Sequence, residues 1–383
     1  MKGTVILISM VHWHFTWQNQ QNLARGLAER GYQVYFIEPL PKRWPRINEF
    51  GRVWGRLTGQ SEAAGICRQP LIPGVELVSP RMLPDTGTLT RWVNRRLFLP
   101  GLEDKLKESI QRPLIVINDL PIPASLELMN SLEPDASFYD CVNDWANDPY
   151  MPIHDFERSL AGAVDMVWAD SRANVVRVSS MNKTVVQLPP DVDIALFSRA
   201  RNDPGPLPSR PLCAYFGSIS LSTDIDLLRM VSHQYPLRLI GPLRTTLNGF
   251  SDKTEVVGPV PHHQLPELLR DVDVLLLPYV HSAHNASVMP AKLYECLATG
   301  KPTIVSGLTT LHDYSDLFYI RETPEAFIEA IAEVVHEPEA YRAKRIAAAE
   351  AHSFDHRMDV VEGYIQQVLE QKSRHSREYK PAR

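Results

Sequence analysis

The sequence predicts an α/β fold made of two facing, Rossmann-like, doubly wound domains with a cleft between them. Along most of the chain, short apolar runs rich in β-branched residues alternate with helical patterns, as in parallel sheets covered by helices on both faces. The alternation is interrupted by residues 189–211, which contain six prolines and have the composition of a semi-rigid linker. The chain of 383 residues also exceeds the roughly 250–300 residues at which a single core stops growing.

The first half opens with a βαβ unit. Residues 4–11 form an apolar run typical of a buried strand, and residues 18–30 have apolar side chains at helical spacing, with Gly31 at their end. Residues 33–37 form a second strand, so the unit requires a parallel sheet with a right-handed crossover. Further strands are expected at residues 114–117, 137–141, 165–169 and 184–188, with helices near 124–132 and 171–180.

The second half repeats this alternation. Strands are expected at residues 212–216, 237–240, 255–257, 272–277 and 302–305, and helices at 223–234, 262–270, 290–299, 324–336 and 339–351. We therefore divide the chain into an N-terminal domain (residues 1–195), a proline-rich linker (196–211), a C-terminal domain (212–351) and a final segment (352–383). This final segment contains a helix that could cross back to the N-terminal domain and a polar tail.

Composition excludes several classes of protein. A net charge of −5 disfavours general nucleic-acid binding, which needs a clustered basic surface. Four cysteines (Cys67, Cys141, Cys213 and Cys296) lie too far apart for a disulfide framework or a structural zinc site. No apolar run approaches the roughly 20 residues of a membrane span. Since the apolar start of the chain also lacks a small-residue cleavage site, we expect a cytoplasmic protein.

The strongest local signal is the segment 287–302. Pro290 is suited to begin a helix and Gly300 to end it, which places Lys292 and Glu295 on one helix face. An ammonium near a helix start can neutralise a diphosphate, and a carboxylate one turn later can accept hydrogen bonds from two ribose hydroxyls. This pair therefore suits a nucleoside diphosphate, although a solvated ion pair has the same spacing.

This segment resembles the donor-binding signature of GT-B glycosyltransferases, especially the family-4-like (group 1) enzymes of bacterial polysaccharide assembly. The similarity covers nearly the whole chain through short motifs at residues 21–24, 36–39, 139–145, 169–171, 191–193, 215–218, 239–242 and 277–279. The resemblance implies transfer of a sugar from a nucleotide-sugar donor, with the donor held by the C-terminal domain and the acceptor by the N-terminal domain.

The resemblance also implies roles for individual residues. Glu295 matches the ribose-binding glutamate, Lys292 a diphosphate contact, and Gly217-Ser218 the glycine turn that lets backbone approach the phosphates. Ser287 stands where the family usually has a second glutamate.

A second departure lies after the Gly217 turn, where the usual arginine and lysine are missing because residues 218–226 contain no basic side chain. Arg244 could supply part of the missing charge, and the alternative for Arg244 is an ordinary surface position.

The loops after strands of the N-terminal domain supply candidates for an acceptor-activating base. Asp144 is the first candidate and Asp140 the second, because a carboxylate there could take the proton of an attacking hydroxyl. Turn and cap formation is the competing explanation for both. His14 is the alternative base. In the same loop, His12, Trp13 and Trp17 could form an acceptor-binding wall, although core packing explains the tryptophans equally well.

We expect neither a metal ion nor another cofactor. The pairs at residues 191–193 and 271–273 look like a metal-binding DxD motif, but the second leads directly into a buried strand. GT-B enzymes generally hold the diphosphate without a divalent ion, a role that the resemblance gives to Lys292.

Basic residues mixed with tryptophans follow the second strand. They suit an anionic membrane surface, so we hypothesise contact with the inner membrane leaflet near a lipid-linked acceptor. Basic side chains that cover a local apolar patch are the alternative. The residues of this segment are Lys42, Arg43, Trp44, Arg52 and Trp54, and residues 91–98 repeat the pattern.

The resulting prediction is a metal-independent glycosyltransferase of the hexosyltransferase type, which transfers a sugar from a nucleotide sugar to a glycan or lipid-linked glycan in surface polysaccharide synthesis. The alternatives are a nucleotide-sugar epimerase of the same architecture and a non-catalytic nucleotide-sugar-binding protein. An NAD oxidoreductase is disfavoured because no GxGxxG motif follows a strand, and the chain has no P-loop motif.

Overall fold

A computed structural model describes residues 1–41, 68–85, 87–148, 156–201 and 205–378. These residues form two parallel β-sheets, each covered by helices on both faces. The predicted fold class, α/β with two Rossmann-like domains, is confirmed.

The first sheet has seven strands in the order β3-β2-β1-β4-β5-β6-β7. Strand β1 is the third of the seven and is paired on both sides, with Thr4 opposite Gln33 on β2 and Leu114 on β4. The strands are β1 (Thr4–Ile8), β2 (Gln33–Ile37), β3 (Val75–Val78), β4 (Leu114–Asn118), β5 (Ala136–Cys141), β6 (Met166–Ala169) and β7 (Val185–Gln187). Strand β3 was not predicted, because its alternation of half-buried and exposed residues lacks the continuous apolar run of the central strands.

The helices of this half connect the strands in right-handed crossovers. Helix α1 begins after Gln18, whose backbone N–H donates to the Gln21 side chain as in a capping box. The helices are α1 (Asn19–Glu29), α2 (Thr88–Val93), α3 (Leu99–Lys107), α4 (Pro123–Ser131), α5 (Phe156–Ala163) and α6 (Arg172–Val178), with a π-helical turn (Asn94–Phe98) between α2 and α3.

The second sheet has six strands in the order β10-β9-β8-β11-β12-β13. These are β8 (Cys213–Phe216), β9 (Leu237–Ile240), β10 (Thr254–Gly258), β11 (Val274–Pro278), β12 (Thr303–Ser306) and β13 (Tyr319–Ile320). The helices of this half are α7 (Ile194–Phe197), α8 (Ile225–Gln234), α9 (Leu265–Leu269), α10 (Leu293–Thr299), α11 (Pro324–Glu333), α12 (Glu339–Glu350) and α13 (Phe354–Glu378). Strand β13 is only two residues long, too short to give a sequence signal.

The segment predicted as a linker, residues 196–211, is partly integrated into the second domain. Phe197 and Ala200 are fully buried in the core formed by β8, β11 and α10. Their proline-rich neighbourhood suggested a linker, but apolar burial in this core outweighs that local signal.

Helix α13 packs on the N-terminal domain. Met358, Val361 and Ile365 are buried in the core that covers one face of the first sheet. Arg357 also forms a buried ion pair with Asp191, with its NH1 3.2 Å from Oδ2. The last helix of the chain therefore belongs physically to the first domain. No helix in the described part of the chain is both long and apolar enough to cross a bilayer.

Candidate active site

A cavity of about 310 Å³ lies between the two domains, where the carboxyl ends of both sheets face each other. Its walls come from segments that follow β1, β5 and β6 in the first domain and β8, β9 and β11 in the second. Ligands of doubly wound sheets bind at this end of the strands, so the cavity is the candidate active site.

Lys292 supplies a positive charge on the C-terminal wall of this cavity. Its Nζ donates to the carbonyl oxygen of Phe216 and lies 4.3 Å from the ring centroid of Tyr215. No carboxylate of the described residues lies within 4 Å of this ammonium. Burial by itself lowers the pKa of Lys292, but the phenol groups of Tyr215 and Tyr279 outweigh it and raise this pKa overall. The wall therefore carries a charged ammonium without a counter-ion, a feature suited to an anionic ligand.

Helix α10 begins later than predicted. Its first residue is Leu293 rather than Pro290, and Lys292 occupies the N-cap position. The backbone N–H of Leu293 donates to the carbonyl of Pro290, so the proline belongs to a turn that leads into the helix. Gly300 ends the helix as predicted, in a left-handed conformation with φ of 73°.

Two glycines form the cavity wall beside Lys292. Gly217 has φ of 114° and Gly241 has φ of 139°, in the region that favours glycine. A side chain on Gly241 would collide with the Gly217 backbone, and one on Gly217 would collide with the Lys292 ammonium. The backbone conformation and the local packing therefore favour glycine at both positions.

The loop after Gly217 offers hydroxyl groups instead of the basic side chains usual in the resembling family. Ser218, Ser220, Ser222 and Thr223 all line the cavity. The loop is fixed by the Tyr215 hydroxyl, which lies 2.9 Å from the Ser218 carbonyl oxygen. Hydroxyl donors can bind phosphate oxygens without adding charge.

Glu295 also lines the cavity, one turn after Lys292. Its Oε1 lies 2.7 Å from Nε2 of His262, a partner that no motif or spacing predicts. The His262 ring stacks on Trp17 from the opposite domain, with centroids 5.6 Å apart and an interplanar angle of 10°. This contact links the C-terminal carboxylate to the N-terminal wall.

Two other residues predicted to bind the donor lie outside this cavity wall. Arg244 is exposed, and its guanidinium lies 5.7 Å from the ring centroid of Phe15. Ser287 lies at the contact between domains, where its hydroxyl is 3.4 Å from Oδ2 of Asp144 and 2.9 Å from the His284 carbonyl oxygen.

The predicted bases Asp144 and Asp140 are both buried and neither lines the cavity. Asp144 accepts hydrogen bonds at Oδ2 from Asn147 and Ser287. Burial raises the pKa of Asp140 to about 6, although the positive charge of Arg357 opposes the shift. Both side chains thus lie behind the cavity wall, where they support neighbouring segments.

Besides His262, two further acidic or basic side chains line the cavity without having been predicted as site residues. Asp170 follows β6 at the carboxyl end of the first sheet, and His284 comes from the second domain. Asp170 was not predicted as a site residue, because a polar residue before a helix also fits turn formation. Its position directly after a buried strand is the sequence feature that could have identified it as a site residue. The segment 142–148 has the same kind of position.

The aromatic loop after β1 divides between core and cavity. Trp13 is fully buried against Phe36, with ring centroids 5.1 Å apart, so the structure places this residue in the core and not on an acceptor wall. Trp17 lines the cavity. His12 is partly exposed beside Glu38, with Nδ1 3.5 Å from Oε1, and Nδ1 of His14 is buried without a hydrogen-bond partner. Neither histidine lines the cavity.

The acidic motif at residues 191–193 joins the two domains. Asp191 accepts a hydrogen bond from Asn22 at 2.7 Å in addition to its pair with Arg357, and Asp193 caps α7. Among the described residues, no group of three or more His, Cys, Asp or Glu side chains is arranged to hold a metal ion. The predicted membrane segment with Lys42, Arg43, Trp44, Arg52 and Trp54 lies outside the described residues.

Part of the chain resembles known proteins in sequence. Residues 223–337 match the family model for glycosyl transferases group 1. TuaH of Bacillus subtilis strain 168, named as a teichuronic acid biosynthesis glycosyltransferase, is 29% identical over 105 residues. That match covers 24% of this chain and 26% of TuaH, so it spans about a quarter of the relative's length.

Solved structures resemble nearly the whole chain. A sucrose-phosphate synthase from Thermosynechococcus elongatus has a TM-score of 0.67 at 15% identity, covering 96% of this chain and 99% of its own. Anabaena Alr3699/HepE in complex with UDP and glucose has a TM-score of 0.66 at 11% identity, and the match covers 95% of this chain and 100% of HepE. A trehalose 6-phosphate synthase from Burkholderia multivorans has a TM-score of 0.63 at 11% identity, and the match covers 99% of this chain and 98% of the synthase.

Two facing Rossmann-like domains with a cleft at their carboxyl ends define the GT-B fold, which this chain has. Within this fold, residues 223–337 of the C-terminal domain match the family model for group 1 glycosyltransferases. The predicted family and fold are therefore confirmed.

Proposed function

We propose that this chain transfers a sugar from a nucleoside-diphosphate sugar to a hydroxyl group of a glycan or lipid-linked glycan in bacterial surface polysaccharide synthesis. The observation that carries the proposal is the Lys292 ammonium, which lies on the cavity wall beside two glycines and has no carboxylate partner among the described residues. The match to group 1 glycosyltransferases supports the reaction class, and the name of TuaH supports a role in polysaccharide synthesis.

The donor would lie along the C-terminal wall. Lys292 and the hydroxyl groups of the loop after Gly217 would bind the diphosphate, and Glu295 would accept hydrogen bonds from the ribose hydroxyls. UDP bound to HepE, which shares the fold, makes UDP a suitable first donor nucleotide to test.

The transfer itself needs no metal ion in this proposal. As the acceptor oxygen bonds to the anomeric carbon, the bond from that carbon to the diphosphate oxygen breaks and leaves negative charge on the nucleoside diphosphate. Lys292 would offset this charge in a partly enclosed site, where a fixed cation is more effective than in water.

The acceptor would approach over the N-terminal domain, which we propose to contact the inner membrane leaflet. In the described part of this domain, α2 and the π-helical turn after it expose Leu89, Trp92 and Leu97, with 71%, 57% and 69% of each residue accessible. Arg95 and Arg96 are exposed on the same turns. Apolar and basic side chains together suit an anionic lipid surface.

The first experiment is a thermal-shift screen with UDP, GDP, dTDP and CMP, because a ligand that binds the native state raises its stability. The stabilising nucleotide is then supplied as its sugars, with and without glycan acceptors, and products are identified by mass spectrometry and NMR. The proposal predicts a glycosylated product only when acceptor is present. An isomerised nucleotide sugar formed without acceptor would indicate an epimerase, and binding with neither transfer nor hydrolysis would indicate a binding protein.

A further inference from the structure

We propose that Trp17 of the first domain is a positioning residue for Glu295, which it holds in place through the His262 ring. The proposal rests on the proposed function, in which the Glu295 carboxylate binds the donor ribose. It adds that recognition of the two ribose hydroxyls depends on both domains, because the carboxylate lies on one side of the cleft and its support on the other.

The Glu295 carboxylate needs support because a glutamate side chain rotates about three bonds. Its Oε1 lies 2.7 Å from Nε2 of His262, the distance of a charge-assisted hydrogen bond. Both side chains are mostly enclosed, with 13% of Glu295 and 14% of His262 accessible. A carboxylate has about four acceptor positions, so this contact leaves positions for two ribose hydroxyls. The orientation of the carboxylate therefore depends on where the imidazole is held.

Two aromatic rings hold the imidazole of His262. The indole of Trp17 stacks on it from the first domain, with centroids 5.6 Å apart and an interplanar angle of 10°. Phe197 of the second domain lies 5.4 Å away at an angle of 53°. Because the stacked indole restricts rotation of the imidazole, its loss would free Nε2 to move away from Glu295.

Trp17 is itself anchored within the first domain. Its indole N–H donates to Oδ1 of Asn22 at 2.7 Å, and Nδ2 of Asn22 donates to Oδ1 of Asp191 at 2.7 Å. The indole also packs edge-on against Trp13, with centroids 5.7 Å apart. Asn22 is buried and does not line the cavity, so it would act on a ligand through the residues that it holds. The contacts thus form a continuous series from the first domain to the donor side of the cleft.

Two simpler explanations of the contact between Trp17 and His262 give different expectations. Trp17 lines the cavity, and it would bind a ligand directly if the base or sugar stacked on its ring. Alternatively, the contact would be packing between the domains without any effect on a ligand. Direct stacking contributes to the affinity of every nucleotide, whereas a positioning residue for Glu295 affects only ligands that have ribose hydroxyls.

The test compares the dissociation constants of UDP and GDP with those of their 2′,3′-dideoxy analogues by titration calorimetry. The ratio of the two constants measures recognition of the ribose hydroxyls. For the base that binds more tightly, the wild-type protein should prefer the ribonucleotide by at least about tenfold. Trp17→Leu and His262→Leu should lower this preference to about threefold or less, with unchanged affinity for the dideoxy analogue.

Further variants separate positioning from direct contact. Trp17→Phe keeps an aromatic face and His262→Gln keeps a hydrogen-bond donor, so both should retain most of the preference. Asn22→Ala acts from behind the cavity wall and should lower the preference by a smaller factor than Trp17→Leu. In a Glu295→Ala background, Trp17→Leu should cause no further change in the preference, because the carboxylate that it positions is absent.

Phe15→Leu is the matched control, because it changes an aromatic residue of the same loop that lies beside Arg244. It should leave the preference unchanged. Equal weakening of both ligands in Trp17→Leu would overturn the proposal in favour of direct stacking. A preference that is kept in Trp17→Leu but lost in His262→Leu would also overturn the role of Trp17, and a preference kept in both would assign the contact to packing.

Failure of the proposal differs from failure of the proposed function. A wild-type protein that binds a nucleoside diphosphate and its dideoxy analogue equally would overturn the proposal but leave a nucleotide-sugar site in place. Binding of neither UDP nor GDP would contradict the proposed function itself. Thermal unfolding shows whether each variant is folded, and if Trp17→Leu is not, Asn22→Ala and His262→Leu decide between the same outcomes.

Discussion

Nε2 of His262 lies 2.7 Å from Oε1 of Glu295, and the imidazole ring stacks on the indole of Trp17. These three side chains connect a short helix of the second domain to the loop after the first strand of the first domain. The carboxylate proposed to bind the donor ribose is therefore linked through His262 to a side chain of the first domain.

Replacing Glu295 by Gln should weaken binding of the nucleoside and of the nucleoside diphosphate by the same factor, because both ligands contain the ribose. A hydrogen bond to a charged group contributes about 1.5–3 kcal/mol, which corresponds to roughly 10–150-fold in affinity. Isothermal titration calorimetry with both ligands measures this. His262→Gln, which keeps a polar partner for Glu295, is the control and should show a smaller loss. A loss confined to the diphosphate would assign Glu295 to the phosphates.

The contact between Glu295 and His262 could not be predicted from the sequence. The parallel sheets and the position of the cleft follow from the alternation of strands and helices, since parallel strands place their carboxyl ends together. His262 lies in a short 3-10 turn 33 residues before Glu295, and neither periodicity nor a motif connects the two.

The aromatic loop after β1 is a second place where the sequence could not predict the positions of side chains. Trp13 and Trp17 are four residues apart in similar surroundings, yet one is fully buried and the other lines the cavity. Their sequence signals are alike because tryptophan packs equally well in a core and against a ligand. Trp13 packs against Phe36 on the neighbouring strand and donates its indole N–H to the Pro70 carbonyl, contacts that lie far away in sequence.

Gly241→Ala should destabilise the protein by at least about 1 kcal/mol, because φ of 139° is unfavourable for alanine and the new Cβ would collide with the Gly217 backbone. The displaced Gly217 turn should also weaken diphosphate binding. Gly363→Ala is the matched control, since that glycine lies in α13 with open space around its Cβ position. The control should gain about 0.5–1 kcal/mol from helix propensity. Equal melting temperatures for the two variants would contradict the prediction.

Glu38→Gln should remove a pH-dependent contribution to stability. Burial opposes ionisation of Glu38. The hydrogen bonds from His12 and Ser79 and the charge of His12 outweigh burial and lower the pKa of Glu38 to about 2. The native state thus binds fewer protons than the unfolded state between pH 4.5 and 2. The free energy of unfolding of the wild type should exceed that of the variant by about 1–3 kcal/mol above pH 5, and this difference should disappear as pH falls toward 2. Measuring the free energy of unfolding of both proteins across this pH range tests the prediction. A difference between them that does not change with pH would contradict the lowered pKa of Glu38.

Membrane contact by the first domain predicts that Trp92→Ala combined with Leu97→Ala reduces flotation with anionic vesicles. Burying large apolar side chains in lipid contributes roughly 1.5–3 kcal/mol each, so their loss should lower partitioning at least tenfold. Val256→Ala removes an exposed apolar side chain from the second domain, with 46% of the residue accessible, and should leave flotation unchanged. Equal flotation of all three proteins, or none with the wild type, would reject membrane contact.

Lys292→Ala separates phosphate binding from nucleoside binding most directly. Titration calorimetry should compare wild type and variant for the nucleoside diphosphate that gives the largest thermal shift and for the corresponding nucleoside. We expect the variant to lose at least about tenfold more affinity for the diphosphate than for the nucleoside, because a charge-assisted contact of roughly 1.5–3 kcal/mol is removed from the first ligand only. Equal losses for both ligands would contradict a phosphate-binding role for Lys292 and, with it, a nucleotide-sugar site in this cleft.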